Sequence, residues 1–286
     1  MTERKLEGVV TGTDFSETSR GAVSEAVRLV AGRPGGRLFV VHVLGKSDDQ
    51  APDLEERLVA FALGLDSSGA LTPDQVHPRI VRGAVAEGIA AVAEAEQADL
   101  IVVGPLQKGF VQRYLTGGTA EQLFGLTRVP VLATRGAALG GYNHILVPVD
   151  FNDHTAKLLA VVATLARDEH GACGVDPHLE LVHAYVLPGG VAAMGARKEL
   201  EANLEADLTA NLEALAAEVG ATDLIRSNTV VPGVASEVIP RLARSRAADL
   251  ICMGSAGGSG IGRHLLGSTT SAVLSEVELP LLVVWA

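Results

Sequence analysis

Residues 144–155 read HILVPVDFNDHT, and residues 8–19 read GVVTGTDFSETS. Each is a short apolar run that stops at an aspartate, Asp150 or Asp14, followed by Phe and small polar residues. A run of this length, rich in β-branched residues and closed by turn formers, has the pattern of a buried β-strand. It occurs twice, and that repetition decides the fold.

Working outward, the neighbours repeat as well. LFVVHV at 38–43 is answered by LELVHAY at 179–185, and ADLIVVGP at 98–105 by ADLICMGS at 248–255. VPVLAT at 129–134 is answered by LPLLVVWA at 279–286. Asp14 and Asp150 lie 136 apart, His42 and His183 141, and Gly104 and Gly254 150. Gly83 and Gly233, and Pro130 and Pro280, are also 150 apart. Order is kept and the offset grows only in the middle, as expected of one structural unit copied and later lengthened by insertions. The first unit is expected over residues 1–137 and the second over 143–286. The Gly/Ala-rich stretch RGAALGGY at 135–142 joins them, and it is too short to let the units swing apart.

Inside each copy, β-rich runs alternate with helical patterns, which implies βαβ units. Strands are expected near 8–14, 37–44, 76–82, 99–104 and 129–134, and again near 144–150, 178–186, 225–231, 249–254 and 280–285. Helices fill about 17–31, 53–65, 84–97 and 118–126. Residues 196–219 repeat Leu at every third or fourth position with acids between, an amphipathic surface helix. The fold class is α/β: two tandem doubly wound parallel five-stranded sheets with helices on both faces. Ligands of such sheets sit beyond the carboxyl ends of the strands, where strand order reverses. The ends of strands one and four in each copy are therefore where a site is expected.

Composition narrows the function. The chain has 286 residues, 48% hydrophobic and 3% aromatic, and a net charge of −11. With no basic patch, a nucleic-acid backbone is excluded as the main partner. Cys173 and Cys252 are far apart and in no metal-ligand spacing, so a disulfide framework is not expected. No apolar stretch approaches the length of a membrane span or a signal peptide, so a soluble cytoplasmic protein with no membrane partner is expected.

Strand four of the second copy runs into GSAGGSGIGRHLLGSTT at 254–270. Glycines leave main-chain N–H groups free to converge on an anion, and Ser268 and Thr269 open a helix whose first amides lack partners. Arg263, midway along the loop, offers a full positive charge. No Gly-Lys-Ser/Thr follows, so this is not a Walker loop, and there is no GxGxxG turn after strand one.

At these residues the chain resembles the universal stress protein family in its tandem two-domain form. The shared features are the Asp of VPVDFN, the segment ADLICMGS, and a G-2x-G-9x-G-(S/T) pattern at Gly254, Gly257, Gly267 and Ser268. The resemblance implies strand order 3-2-1-4-5 and a bound adenine nucleotide (ATP, ADP or AMP), with Mg²⁺ held by phosphates and water rather than directly by protein. It further implies that Pro148, Val149 and Asp150 lie by adenine and ribose, and that Ala184 meets adenine. Gly254, Gly257, Gly258, Ser259, Gly260, Arg263 and Gly267, with Ser268, Thr269 and Thr270, would surround the phosphates.

The first copy keeps Asp14, Val43, Gly104, Gly117, Gly118 and Thr119 as a weaker second site. There Gln107 replaces the second glycine, Pro105 follows the first, and Phe110 and Tyr114 make the loop bulkier. Weak or absent nucleotide is expected in that copy.

Family members dimerise through their last strands. Here the runs 129–134 and 280–285 would otherwise be bare sheet edges, so they are expected to pair within one molecule as a pseudo-dimer. A homodimer is the alternative, and any protein partner is unknown. The expected function is nucleotide-dependent regulation in stress response. The alternative is a slow ATPase or phosphoryl-transfer enzyme, for which no general base stands beside the loop except Asp150. His42 and His183 read as satisfied core residues, Cys252 as core, and Asp14 and Asp150 have turn-capping as their plainer role.

Overall fold

A computed structural model describes residues 6–45, 51–104, 118–134, 141–152, 154–173, 175–187, 194–255 and 266–285. The first half comprises β1 (Gly8–Gly12), α1 (Glu17–Val30), β2 (Arg37–Leu44), α2 (Leu54–Leu63), β3 (Val76–Arg82), α3 (Val85–Ala95), β4 (Leu100–Val103), α4 (Thr119–Leu123) and β5 (Val131–Ala133). The second comprises β6 (His144–Pro148), α5 (Thr155–Cys173), β7 (His178–Tyr185), α6 (Met194–Val219), β8 (Ile225–Pro232), α7 (Ala235–Ser245), β9 (Leu250–Gly254), α8 (Ser268–Glu276) and β10 (Leu281–Val284).

Local chemistry accounts for these elements. In α1, Val23, Ala26, Val27 and Val30 recur at helical spacing and are buried against the sheet, while the Ser16 hydroxyl caps the helix by accepting from the Ser19 amide at 3.2 Å. The inner strands are buried, mostly aliphatic runs because helices cover both faces, while the outer strands β3 and β8 are largely half-buried. In α6 the leucine stripe works only in part: Leu212 is fully buried, whereas Leu200 is exposed.

The two five-stranded sheets are joined edge to edge. The strands form one ten-stranded sheet in the order β3-β2-β1-β4-β5-β10-β9-β6-β7-β8. Read from either outer edge, each half follows 3-2-1-4-5. Within a half the pairings are parallel. The halves meet antiparallel, with Val131 opposite Val283, Leu132 opposite Leu282 and Ala133 opposite Leu281. Leu132 and Leu282 are themselves counterparts 150 residues apart, so an approximate two-fold axis passes between them. Two apolar edges are hidden in one step. Pro130 and Pro280 stand just before these strands, where a missing N–H costs nothing, and their carbonyls accept from the amides of Ile101 and Ile251.

The antiparallel joint sets the strand ends of the two halves at opposite edges of the sheet. Each face carries one apolar core that runs through both halves. One lies under α1, α2 and α5 and includes Leu132 and Leu282; the other lies under α3, α4, α7 and α8 and includes Val131 and Val283.

Where α1 meets α5, charge is buried at the joint. Arg28 grips Glu169 with both Nη atoms at 2.6 and 2.8 Å, and grips Glu25 at 2.6 and 3.1 Å. Both carboxylates are fully buried. The Tyr142 hydroxyl donates to Glu25 at 2.8 Å, and Arg28 stands 5.3 Å from its ring centre. Two bidentate pairs satisfy the guanidinium, which is the condition under which a buried ion group is tolerated.

Candidate functional site

Both halves turn in the same way where the first strand ends. Phe15 and Phe151, each following its Asp, hold φ at 63° and 56°. That left-handed region disfavours a bulky side chain, so something must brace it. Each ring packs against the histidine of the neighbouring strand, Phe15 on His42 with ring centres 5.4 Å apart and Phe151 on His183 at 4.7 Å. The histidines in turn sit within hydrogen-bond reach, through Nδ1, of the carbonyls of Thr13 (2.7 Å) and Val149 (2.9 Å). A carbonyl only accepts, so Nδ1 carries the proton in both rings. His42 and His183 are half-buried and satisfied; their work is to clamp the turn that presents the aspartate.

The aspartates are held differently. Asp14 accepts from the Ser16 amide at 3.0 Å and the Ser16 hydroxyl at 2.5 Å, and that hydroxyl holds its carboxyl below the usual range against a smaller opposing effect of desolvation. Asp150 accepts from the side-chain amide of Asn152 at 2.9 Å and from the Thr155 hydroxyl at 3.2 Å, with a long 3.4 Å approach from the Asn152 amide. Both are exposed. Turn-capping therefore describes both aspartates, Asp14 through Oδ1 and Asp150 through both of its oxygens.

At the carboxyl ends of β6 and β9 lies a cavity of about 310 Å³. It brings together Pro148, Val149, Asp150, Ala184, Gly254, Gly267, Ser268, Thr269 and Thr270 from five separate elements and turns. Gly257, Gly258, Ser259, Gly260, Arg263 and His264 lie outside the described residues. Helix α8 starts at the cavity with Gly267 as its N-cap, which has no side chain to satisfy the amides of Ser268, Thr269 and Thr270. The Thr270 hydroxyl donates to the Gly254 carbonyl at 2.9 Å and ties the helix start to the end of β9.

Gly254 and Gly267 do not adopt positive φ; Gly254 is extended, and a Cβ there would meet nothing within 4 Å. Its value lies in the open space above it. In the first half a Cβ on Gly104 would come within 3.3 Å of the Thr18 carbonyl.

Several lining residues went unread in the sequence. Ser255 is 1% exposed and its hydroxyl has no partner among the described residues, an unsatisfied group beside the cavity. Ala235 and Ile239 contribute a wall from α7. The available signal was Gly233, whose φ of 138° turns β8 into α7 just as Gly83, at 128°, turns β3 into α3. Asn152 and Thr155 complete the first turn of the site.

The equivalent cleft of the first half is about 730 Å³ and is lined by Asp14, Val43, Gly104, Gly118 and Thr119 with the hydroxyls of Thr13, Ser16, Thr18 and Ser19. Pro105, Gln107, Phe110, Tyr114 and Gly117 lie outside the described residues. Volume alone does not disfavour this cleft; its aspartate differs from Asp150 in accepting both its bonds from Ser16 on one oxygen, Oδ1. Among the described residues no three His, Cys, Asp or Glu side chains gather as metal ligands, and no helix is long and apolar enough to cross a membrane.

With the paired turns and clefts described, comparison with known proteins is decisive. The universal stress protein family model matches residues 6–135 and again residues 141–284. The chain belongs to the universal stress protein family. It is 32% identical over 145 residues to a universal stress protein of Thermus aquaticus, covering 50% of this chain and 98% of that one. That relative is one unit long, and this chain carries two. A putative universal stress protein of Pseudomonas aeruginosa superposes with a TM-score of 0.67 at 20% identity, over 99% of this chain and 94% of the other. One from Archaeoglobus fulgidus gives 0.64 at 16% identity, over 98% and 97%. At these identities the likeness is one of fold across both halves.

Proposed function

We propose that this universal stress protein binds an adenine nucleotide (ATP, ADP or AMP) in its second half, residues 143–286, and that occupancy acts as a regulatory signal in stress response. The first half, residues 1–137, is the weaker site. The observation that carries the reading is the convergence at one cavity of an uncapped helix start, a buried hydroxyl unpartnered among the described residues and the exposed Asp150. Val149, Ala184 and Ile239 offer apolar surface for a base, and the Asp150 carboxylate can accept from a ribose hydroxyl. The amides of Ser268–Thr270 and the Ser255 hydroxyl suit phosphate oxygens. Mg²⁺, in this reading, is held by the phosphates and water, and the chain's own residues bind and orient rather than react.

The glycine pattern at Gly257 gives the control. Protein purified without added nucleotide is expected to release an adenine nucleotide detectable by mass spectrometry, and Mg-ATP is expected to raise the melting temperature of the wild type but much less that of Gly257→Gln. No released nucleotide together with no thermal shift defeats the reading. Hydrolysis far above that of the Gly257→Gln protein would replace it with a slow ATPase.

A further inference from the structure

The duplication allows one half to be used as a template for the other. Buried positions of α1 and α5 correspond at an offset of 136: Ala22 with Leu158, Val23 with Leu159, Ala26 with Val162 and Leu29 with Leu165, all within 3% of full burial. The same offset pairs Tyr142 with Leu6, Glu25 with Val161 and Arg28 with Thr164.

At one corner of the joint the space is filled. Tyr142 is 1% exposed, its hydroxyl bonded to Glu25 and its ring against Arg28. At the counterpart corner the same three positions, Leu6, Val161 and Thr164, line a cavity of about 360 Å³. Leu6 lacks the ring, Val161 lacks the carboxylate and Thr164 lacks the long cation. Ala98, Leu126, Val129 and Pro130 add apolar wall; Glu94, Lys157 and Arg128 are exposed charges at its border, and the lining Asp99 accepts from the amides of Glu7 and Gly8. The Thr164 hydroxyl is committed to the Ala160 carbonyl at 2.9 Å, so Leu6, Val161 and Thr164 present apolar surface where the other corner has an ionic network.

We propose that this corner binds a small monocyclic aromatic molecule, its ring taking the place that the Tyr142 ring occupies at the related corner. The volume falls within the range of small-molecule pockets, and the apolar side chains of Leu6, Val161, Val129 and Pro130 supply the contact surface for a ring. A ring is favoured over a flexible chain because the template occupant is a flat ring packed between one strand start and one helix face. The cavity lies at the base of the first half, against a helix of the second. It is therefore separate from the nucleotide cleft, and the proposal does not depend on nucleotide binding.

The probe is p-cresol, the tyrosine side chain as a free molecule, titrated into the full-length protein with methyl NMR signals of Leu6 and Val161 as the readout. Saturable shifts at those methyls, unchanged by excess Mg-ATP, are expected. Leu6→Tyr should fill the cavity from within and weaken p-cresol binding at least tenfold. Val161→Phe should do the same from the opposite wall, and it serves if the first variant folds poorly. No saturable shift up to the solubility limit, unaltered binding in both variants, or displacement by Mg-ATP overturns the proposal.

Discussion

The two halves of this chain share a plan and differ in how they complete it. In each, an aspartate follows a buried strand, a left-handed Phe follows the aspartate, and a histidine braces both. Yet Asp14 accepts from Ser16, while Asp150 accepts from Asn152 and Thr155; Gly104 is backed by a carbonyl, while a Cβ on Gly254 would meet nothing within 4 Å. At the joint the contrast is reversed: the corner that involves α1 is sealed by Tyr142 and an ion cluster, and the corner against α5 is open. Duplication preserved the residues that shape the backbone and released those that only fill or touch.

The largest effect is expected at the sealed corner. Arg28→Ala leaves Glu25 and Glu169 buried without their cation, and should cost about 3–5 kcal/mol in denaturant unfolding. Its counterpart change, Thr164→Ala, removes a hydroxyl bonded within its own helix and should stay within about 0.5 kcal/mol. Equal losses would erase the distinction between the corners.

Next comes the nucleotide comparison. Gly257→Gln places in the second loop the residue that the first loop carries at Gln107, and should lower Mg-ATP affinity by about tenfold or more, roughly 1.4 kcal/mol. The reciprocal Gln107→Gly should leave the affinity of the second half unchanged by calorimetry. If it is Gln107→Gly that alters the measured binding, the assignment of strong and weak halves is inverted.

A smaller effect belongs to the helix start. Thr270 corresponds to Ala120, so its bond to the Gly254 carbonyl has no twin in the first half. Thr270→Val should cost about 1 kcal/mol of stability. A value near zero would mean that this tie does not set the second cleft apart.

The smallest concerns charge on the aspartates. The lowered pKa of Asp14 favours the folded state above the unfolded value of about 3.9, and that stabilisation fades as pH falls through the folded value. Asp14→Asn should therefore cost under about 1 kcal/mol at pH 7, because the group is solvent-screened, and less still at pH 3. A penalty that grows on acidification would contradict the cause given for the shift.

Much of the fold could be read from residue types alone. The alternation of aliphatic runs with Ala-rich periodic segments located strands and helices to within a few residues, as at 37–44 and 144–150, because both faces of the inner sheet are buried and the signal is strong. The merger of two sheets into one depended on how two short edges meet, and only the exposed-edge argument at 129–134 and 280–285 pointed to it. The aspartate and glycine positions of the cleft were legible because they repeat at fixed spacing. Ser255, Ala235 and Ile239 were not, since each is an ordinary residue made significant by elements distant in sequence. The Glu25–Arg28–Glu169–Tyr142 cluster was invisible for the same reason: nothing in α1 announces that its partner lies 141 residues away.

The antiparallel seam between β5 and β10 has a consequence for behaviour in solution. In an assembly of separate subunits, diluting the sample pulls such a seam apart, and melting depends on how much protein is present. Here both strands belong to one chain, and the covalent link keeps each at a high local concentration near the other whatever the bulk amount. The seam therefore persists at trace abundance, so the melting temperature should not vary across a hundredfold dilution.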